Sequence, residues 1–153
     1  MIRLTVLVPA YNEENTIIAL LRKVRAQQIP NVELEVIVVD DGSKDRTVEL
    51  LRANPDLFDT LVEMPRNGGK GAAVRAGLAR ATGDYVLFQD ADLEYDPGDW
   101  AQMLPLINER KVADVVYGSR FYGRPHRSLY FHHYIGNRLI SFFLTFSMTR
   151  CCP

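Results

Sequence analysis

Asp90-Ala-Asp92, followed by Glu94, sets carboxylates at alternate positions of one short segment. Alternate residues of an extended segment point the same way, so these acids can approach a single cation. Oxygen ligands of this kind suit hard divalent ions such as Mg²⁺ or Mn²⁺, which share them with substrate phosphates. Taken alone, Asp-x-Asp is common and most copies are solvated loop acids. This copy directly follows a continuous apolar run, Tyr85-Val-Leu-Phe88.

Three further groups could do chemistry. Asp40-Asp41 closes a second apolar run, either as turn and cap residues or as acceptors for nucleobase N–H groups and ribose hydroxyls. Gly68-Gly-Lys-Gly71 permits a tight turn and leaves Lys70 for an anionic ligand, with the plain turn the first expectation. It is no Walker A loop, because Gly71 and not Ser or Thr follows Lys70, and no G-x-G-x-x-G follows the first apolar run, which argues against a dinucleotide dehydrogenase. Arg120, just after a fifth apolar run, could hold a phosphate bidentately. His126, His132 and His133 have no spaced cysteine to complete a metal set and are expected at a surface or interface.

These groups need a frame. Leu4–Pro9, Glu35–Asp40, Thr60–Met64, Asp84–Gln89 and Ala113–Ser119 read as strands, the clearest of them apolar on both faces as parallel-sheet strands are. Helical spacing of Ile17, Leu21 and Val24 predicts a helix capped by Asn12 and ended before Pro30. A second helix, capped by Ser43, runs to about Ala53, and a third of small residues spans Ala72–Ala81. Pro97 suits the first turn of a fourth, which Pro105 should kink or end. Alternating strands and helices imply an α/β fold: a mostly parallel, Rossmann-like sheet flanked by helices. In such sheets ligands sit beyond the carboxyl ends of the strands, where all the acidic groups above fall.

The chain has 153 residues, enough for one α/β domain with a real core. All 19 acidic residues lie in residues 1–114, together with 13 of the 18 basic ones. Beyond them come five arginines, Arg120, Arg124, Arg127, Arg138 and Arg150, and no acid. The net charge of −1 gives no reason to expect a nucleic-acid partner. Cys151 and Cys152, adjacent near the end, make neither a disulfide framework nor a zinc site. No signal-peptide pattern opens the chain, and the uncharged run Leu139–Thr149 is about half of the roughly 20 residues a spanning helix needs. The expectation is a soluble, cytoplasmic chain. The aromatic, apolar stretch Tyr130–Met148 is expected to be an interface, a membrane-surface helix or the scar of a truncation, and it favours self-association into a homo-oligomer.

In order, Val8-Pro-Ala-Tyr-Asn-Glu13, Val38-Val-Asp-Asp-Gly-Ser43, Asn67-Gly-Gly-Lys-Gly71, Gln89-Asp-Ala-Asp-Leu-Glu94 and Tyr117-Gly-Ser-Arg120 resemble glycosyltransferase family two, of the GT-A fold, and most closely its polyprenyl-phosphate (dolichol-phosphate mannosyltransferase-type) branch. Each motif is weak by itself and the ordered set is specific; the resemblance covers residue 3 to about residue 140. It implies a metal-dependent, inverting transfer of a sugar from a UDP- or GDP-linked donor to an acceptor, a polyprenyl phosphate or another glycan acceptor, in lipid-linked or cell-wall glycan synthesis. Pro9, Tyr11, Glu13, Asp40, Asp41, Lys70, Asp90 and Ala91 would then bind the nucleotide. Asp90, Asp92 and Glu94 would hold Mg²⁺ or Mn²⁺, and Asp92 and Arg120 would serve the chemical step. Residues 1–120 would form the nucleotide-sugar-binding core and 121–153 an incomplete acceptor-side segment, peripheral at the cytoplasmic membrane face. Members of the family continue past the Gly136-Asn-Arg138 region, so the ending Arg150-Cys-Cys-Pro153 is expected to mark a truncation.

Two rival readings stand beside this one. The chain could bind a nucleotide-sugar without transferring it. A phospho-receiver domain also clusters aspartates on a parallel sheet, but its acidic pair belongs after the first strand, where this chain has Tyr11-Asn12-Glu13.

Overall fold

The computed structural model describes residues 1–108, 110 and 113–118. The chain divides into two units, Met1–Lys111 and Val112–Pro153. The first unit runs β1 (Ile2–Ala10), α1 (Ile17–Arg25), β2 (Val32–Asp40), α2 (Thr47–Arg52), a 3-10 turn (Pro55–Leu57), β3 (Thr60–Glu63), α3 (Lys70–Leu78), β4 (Tyr85–Phe88), a second 3-10 turn (Pro97–Asp99) and α4 (Trp100–Asn108). The four strands form one sheet in the order β3-β2-β1-β4, every pair parallel.

Strand order follows from hydrophobicity. β1 and β2 are the central strands and carry the longest apolar runs, so both of their faces are covered. On one face Leu4, Val6, Val8, Val36 and Val38 pack with Ile17, Leu20, Leu21 and Val24 of α1, Leu51 of α2, and Trp100 and Leu104 of α4. On the other, Leu7, Ile37 and Val39 pack with Ala73 of α3. At Gly77, α3 comes so close that a Cβ would lie 2.6 Å from Leu7 Cδ1. The small residues of α3 are therefore what lets it lie flat on β1 and β2.

A polar clasp ties the amino-terminal half of the sheet together. Glu35, almost fully buried in β2, accepts hydrogen bonds from the Thr5 hydroxyl and from the Thr82 amide and hydroxyl. Burial raises its pKa, but the hydrogen bonds from Thr5 and Thr82, aided by the charge of Arg3, outweigh that and hold the carboxyl below its ordinary value.

Several expectations need correction. Asn12 does not cap α1, which starts at Ile17 with Thr16 at its N-cap. The side-chain oxygen of Asn12 accepts the Lys44 amide, and its own amide donates to the Ser43 hydroxyl. Ser43 is thereby engaged as a loop clamp and is not the cap of α2, which begins at Thr47. Both short polar side chains bridge two loops across 31 and 32 positions of sequence, a partnership no local pattern encodes. α4 continues past Pro105 to Asn108, and Pro97 opens a 3-10 turn that precedes α4 and not the first turn of α4 itself. Residues 113–118, within the anticipated fifth strand, carry no strand assignment. A strand needs a paired neighbour, and among the described residues β4 pairs only with β1.

Candidate functional site

The carboxyl ends of β1, β2 and β4 converge because the strands are parallel and in register, Ala10 opposite Asp40 and Leu7 opposite Phe88. The segments leaving these ends enclose a cleft of about 340 Å³, and the described residues that line it all belong to the first unit. Pro9, Tyr11, Glu13, Asp41, Lys70, Asp90, Ala91 and Asp92, separated by up to 83 positions in sequence, line it together with Ala10, Asn67, Gly69 and Ala73. Of the nucleotide-site residues expected from sequence, only Asp40 lies elsewhere. It lines an adjoining groove of about 550 Å³ with Lys44, Val48, Met64 and Arg66. Tyr11 and Asn67 belong to both. Glu94 lines neither, and Arg120 lies outside the described residues.

The acidic loop is held from below. Ala91 is buried in the core, so Asp90 and Asp92 are carried on either side of it. Gln89, also buried, donates its side-chain amide to the carbonyls of Asp90 and Tyr95, both at 3.2 Å, and so closes the loop at its two ends. Asp92 Oδ1 accepts the Glu94 amide at 3.0 Å across Leu93, which has φ of 62°. A leucine in that region is strained, and its packing against the core holds it there. Gln89 stands in the motif Gln89–Glu94, yet its role went unread: a polar residue closing an apolar strand gave no sign of what it would bond.

Asp41 organises the opposite wall. It is buried, and its two oxygens accept the amides of Gly68 and Gly69, each at 2.8 Å. The turn that sets Asp41 in place needs glycine at position 42, where φ is 69° and a Cβ would lie 2.7 Å from backbone atoms of Arg66 and Asn67. Asp40 Oδ2 accepts the Ser43 amide at 3.0 Å, while Oδ1 is buried and has no hydrogen-bond partner among the described residues. Glu13 accepts the Thr16 hydroxyl, and its amide donates to the Thr47 hydroxyl at 2.8 Å. Asp45 joins the same two loops through Glu14 and Thr47; burial opposes its charged form, but these hydrogen bonds prevail and lower its pKa.

The charge of the cleft is its main chemical property. Among the described residues, Glu13, Asp41, Asp90 and Asp92 line it against one cationic side chain, Lys70, whose ammonium lies 2.5 Å from Asp90 Oδ1. Asp90 thus already holds a cation, and Asp92 lies in the same cleft with hard oxygen donors. This donor set fits a divalent ion that takes its remaining ligands from a phosphate or from water. No three His, Cys, Asp or Glu side chains gather as a ready-made metal group among the described residues, so the Asp90–Asp92–Glu94 set is not assembled as a triad.

Comparison with known proteins gives the site its context. Residues 5–152 match the family model described as glycosyl transferase family 2. An undecaprenyl-phosphate 4-deoxy-4-formamido-L-arabinose transferase of Yersinia pestis is 32% identical over 111 residues, 70% of this chain and 34% of the relative. A mannosyltransferase from Pyrobaculum calidifontis, solved with GDP-Man and Mn²⁺, superposes with a TM-score of 0.63 at 37% identity, over 71% of this chain and 33% of that one. TarS residues 1–349 of S. aureus, solved with UDP-GlcNAc, gives a TM-score of 0.63 at 28% identity over 79% and 38% of the two chains. The match therefore spans 34% of the curated relative's length. The GT-A fold expected from the motifs is the one these structures share with the parallel sheet.

Proposed function

The chain belongs to glycosyl transferase family 2, and from that premise we propose that its cleft binds the diphosphate of a nucleotide-sugar together with Mg²⁺ or Mn²⁺, for inverting transfer of the sugar to a polyprenyl phosphate. The observation that carries this reading is the convergence of Asp90, Asp92, Lys70 and Tyr11 in one acidic cleft at the carboxyl edge of the sheet. An acidic cleft repels a nucleoside diphosphate unless a cation joins them. A divalent ion at Asp90 and Asp92 would supply that charge and neutralise the anion developing on the leaving diphosphate.

The chain's own residues would position the donor. Tyr11, partly exposed between the cleft and the groove, offers a ring for the base to lie against. Asp40 Oδ1, without a partner among the described residues, is an acceptor suited to a base N–H in the groove. Asp41, its oxygens already on Gly68 and Gly69, would act by fixing the loop that carries Lys70. An ionised lipid phosphate needs no strong base to become a nucleophile, so the acceptor side calls chiefly for cations. The sequence offers Arg120, Arg124 and Arg127 for that purpose and for contact with an anionic membrane face. Among the described residues no helix is long and apolar enough to cross a membrane.

Calorimetric titration of UDP and GDP, each with and without Mn²⁺, tests the donor site. The expected result is metal-dependent binding of one nucleotide, abolished by the paired substitutions Asp90→Ala and Asp92→Ala. Binding that survives the double substitution, or no binding of either nucleotide to folded protein, would overturn it. A narrower reading, donor binding without transfer, rests on the cleft alone, whose lining among the described residues falls between Pro9 and Asp92. Transfer of labelled sugar to a polyprenyl phosphate decides between the two.

A further inference from the structure

We infer that Lys70 is a resident counter-cation of the cleft, which holds Asp90 until a donor diphosphate draws it away and so makes metal and nucleotide uptake interdependent. This inference rests on the donor-site reading above. Lys70 Nζ and Asp90 Oδ1 lie 2.5 Å apart. Lys70 is the first residue of α3, Asp90 lies just beyond β4, and both line the cleft. The ammonium is therefore on the very carboxylate that a divalent ion would need.

Three features make this contact exchangeable. First, the Lys70 side chain keeps 64% of its exposure and Asp90 keeps 28%, so the pair is open to water. Ion pairs of that kind are weak and break readily. Secondly, the anchor of Lys70 is independent of Asp90. The backbone beside it is fixed by Asp41 through Gly68 and Gly69, so the lysine stem can swing while its Cα stays in place. Thirdly, among the described residues the cleft holds four carboxylates against this one ammonium. Removing the ammonium leaves an excess of negative charge that a divalent ion can answer, while an arriving diphosphate offers the ammonium a new partner.

The consequence is a coupling. With the cleft free of donor, Lys70 and the metal compete for Asp90, and metal binding is weakened. With a diphosphate bound, Lys70 pairs with phosphate oxygen, Asp90 is released, and metal binding strengthens. By linkage the metal must strengthen nucleotide binding by the same factor. Lys70 acts on the metal through Asp90 and on the diphosphate directly.

Mn²⁺ affinity, read from the electron paramagnetic resonance signal of the free ion, tests this without recourse to turnover. The full chain is titrated alone and with UDP or GDP, as wild type, Lys70→Met, Lys70→Arg and Arg75→Gln, with circular dichroism to verify folding. Lys70→Met is expected to bind Mn²⁺ about two- to fivefold more tightly than wild type without nucleotide, the range an exposed ion pair supplies. Its gain on adding nucleotide is expected to be smaller than that of wild type. Lys70→Arg should retain the competition, and Arg75→Gln, in the last turn of α3, should match wild type. Unchanged or weaker nucleotide-free Mn²⁺ binding by folded Lys70→Met overturns the competition while leaving the donor site standing. Equal tightening by Arg75→Gln overturns it too, since that would reflect charge in general. If no variant takes up Mn²⁺ even with both nucleotides tried, the donor-site reading fails, and the coupling with it.

Discussion

The carboxylate of Asp41 accepts the amide of Gly69 at 2.8 Å, across 28 positions of sequence. With the matching bond from Gly68, it makes Asp41 the clamp that fixes the glycine loop in front of α3. Asp41→Ala should therefore cost about 1–3 kcal/mol of stability in urea unfolding, the usual effect of removing a buried acceptor. Nucleotide affinity should fall as well, because Lys70 loses its mounting. Wild-type stability in the variant would show that the loop is held by other means.

Glycines 71 and 77 of α3 should respond to alanine with opposite signs. A Cβ at Gly71 meets nothing within 4 Å, so Gly71→Ala should stabilise the fold by up to about 1 kcal/mol through helix propensity alone. At Gly77 the same change drives a methyl to within 2.6 Å of Leu7 Cδ1 and 3.0 Å of Val39 Cγ2. Overpacking of about 1–3 kcal/mol exceeds the propensity gain, so Gly77→Ala should destabilise. Thermal melting of the two variants measures both, and a stabilised Gly77→Ala would contradict the close approach of α3.

Glu35 should make stability depend on acid. Its folded pKa lies below the ordinary value of a glutamate. The contribution of its charged form is thus fully present above the unfolded pKa and is lost as pH falls through the folded one. Glu35→Gln should be less stable than wild type at neutral pH by about 1–3 kcal/mol, and the gap should narrow toward pH values below 4. Urea midpoints measured along a pH series check this; a gap constant with pH would mean that Glu35 acts by packing alone.

Gln89→Met preserves volume and removes the amide that closes the acidic loop onto Asp90 and Tyr95. Two part-buried carbonyl acceptors lose a donor, so the variant should lose about 1–2 kcal/mol of stability. It should also weaken metal-dependent nucleotide binding without removing any charge from the cleft. Calorimetry with Mn²⁺ would show this as a raised Kd, and an unchanged Kd would assign the loop's shape to Leu93 and Asp92 instead.

The divalent ion itself should be separable from the fold. Chelation with EDTA should abolish nucleotide binding while leaving the unfolding midpoint unchanged, since Asp90 has Lys70 as its partner and the core lies beneath the cleft. Circular dichroism melts with and without EDTA make the comparison, and a large loss of stability would indicate a structural metal.

By itself the sequence determined the parallel α/β frame and which strand ends share one edge. The runs at Leu4–Pro9 and Glu35–Asp40 are apolar on both faces, which only a sheet covered on both sides accommodates, and β1 and β2 proved to be its central strands. Strand ends in such a sheet share one edge, so Tyr11, Asp41, Asp90 and Asp92 could be placed together before any coordinate was known. Only the tertiary structure decided how the polar groups pair. Asn12 and Ser43 look like helix caps locally, yet their partners are each other's loops. Lys70 looks like a free cation for a ligand, yet it rests on Asp90, 20 residues away. Apolar patterning is written along the chain with a period, whereas a hydrogen bond or ion pair between loops depends on which ends the fold brings within 3 Å, and that is settled only when the sheet has formed.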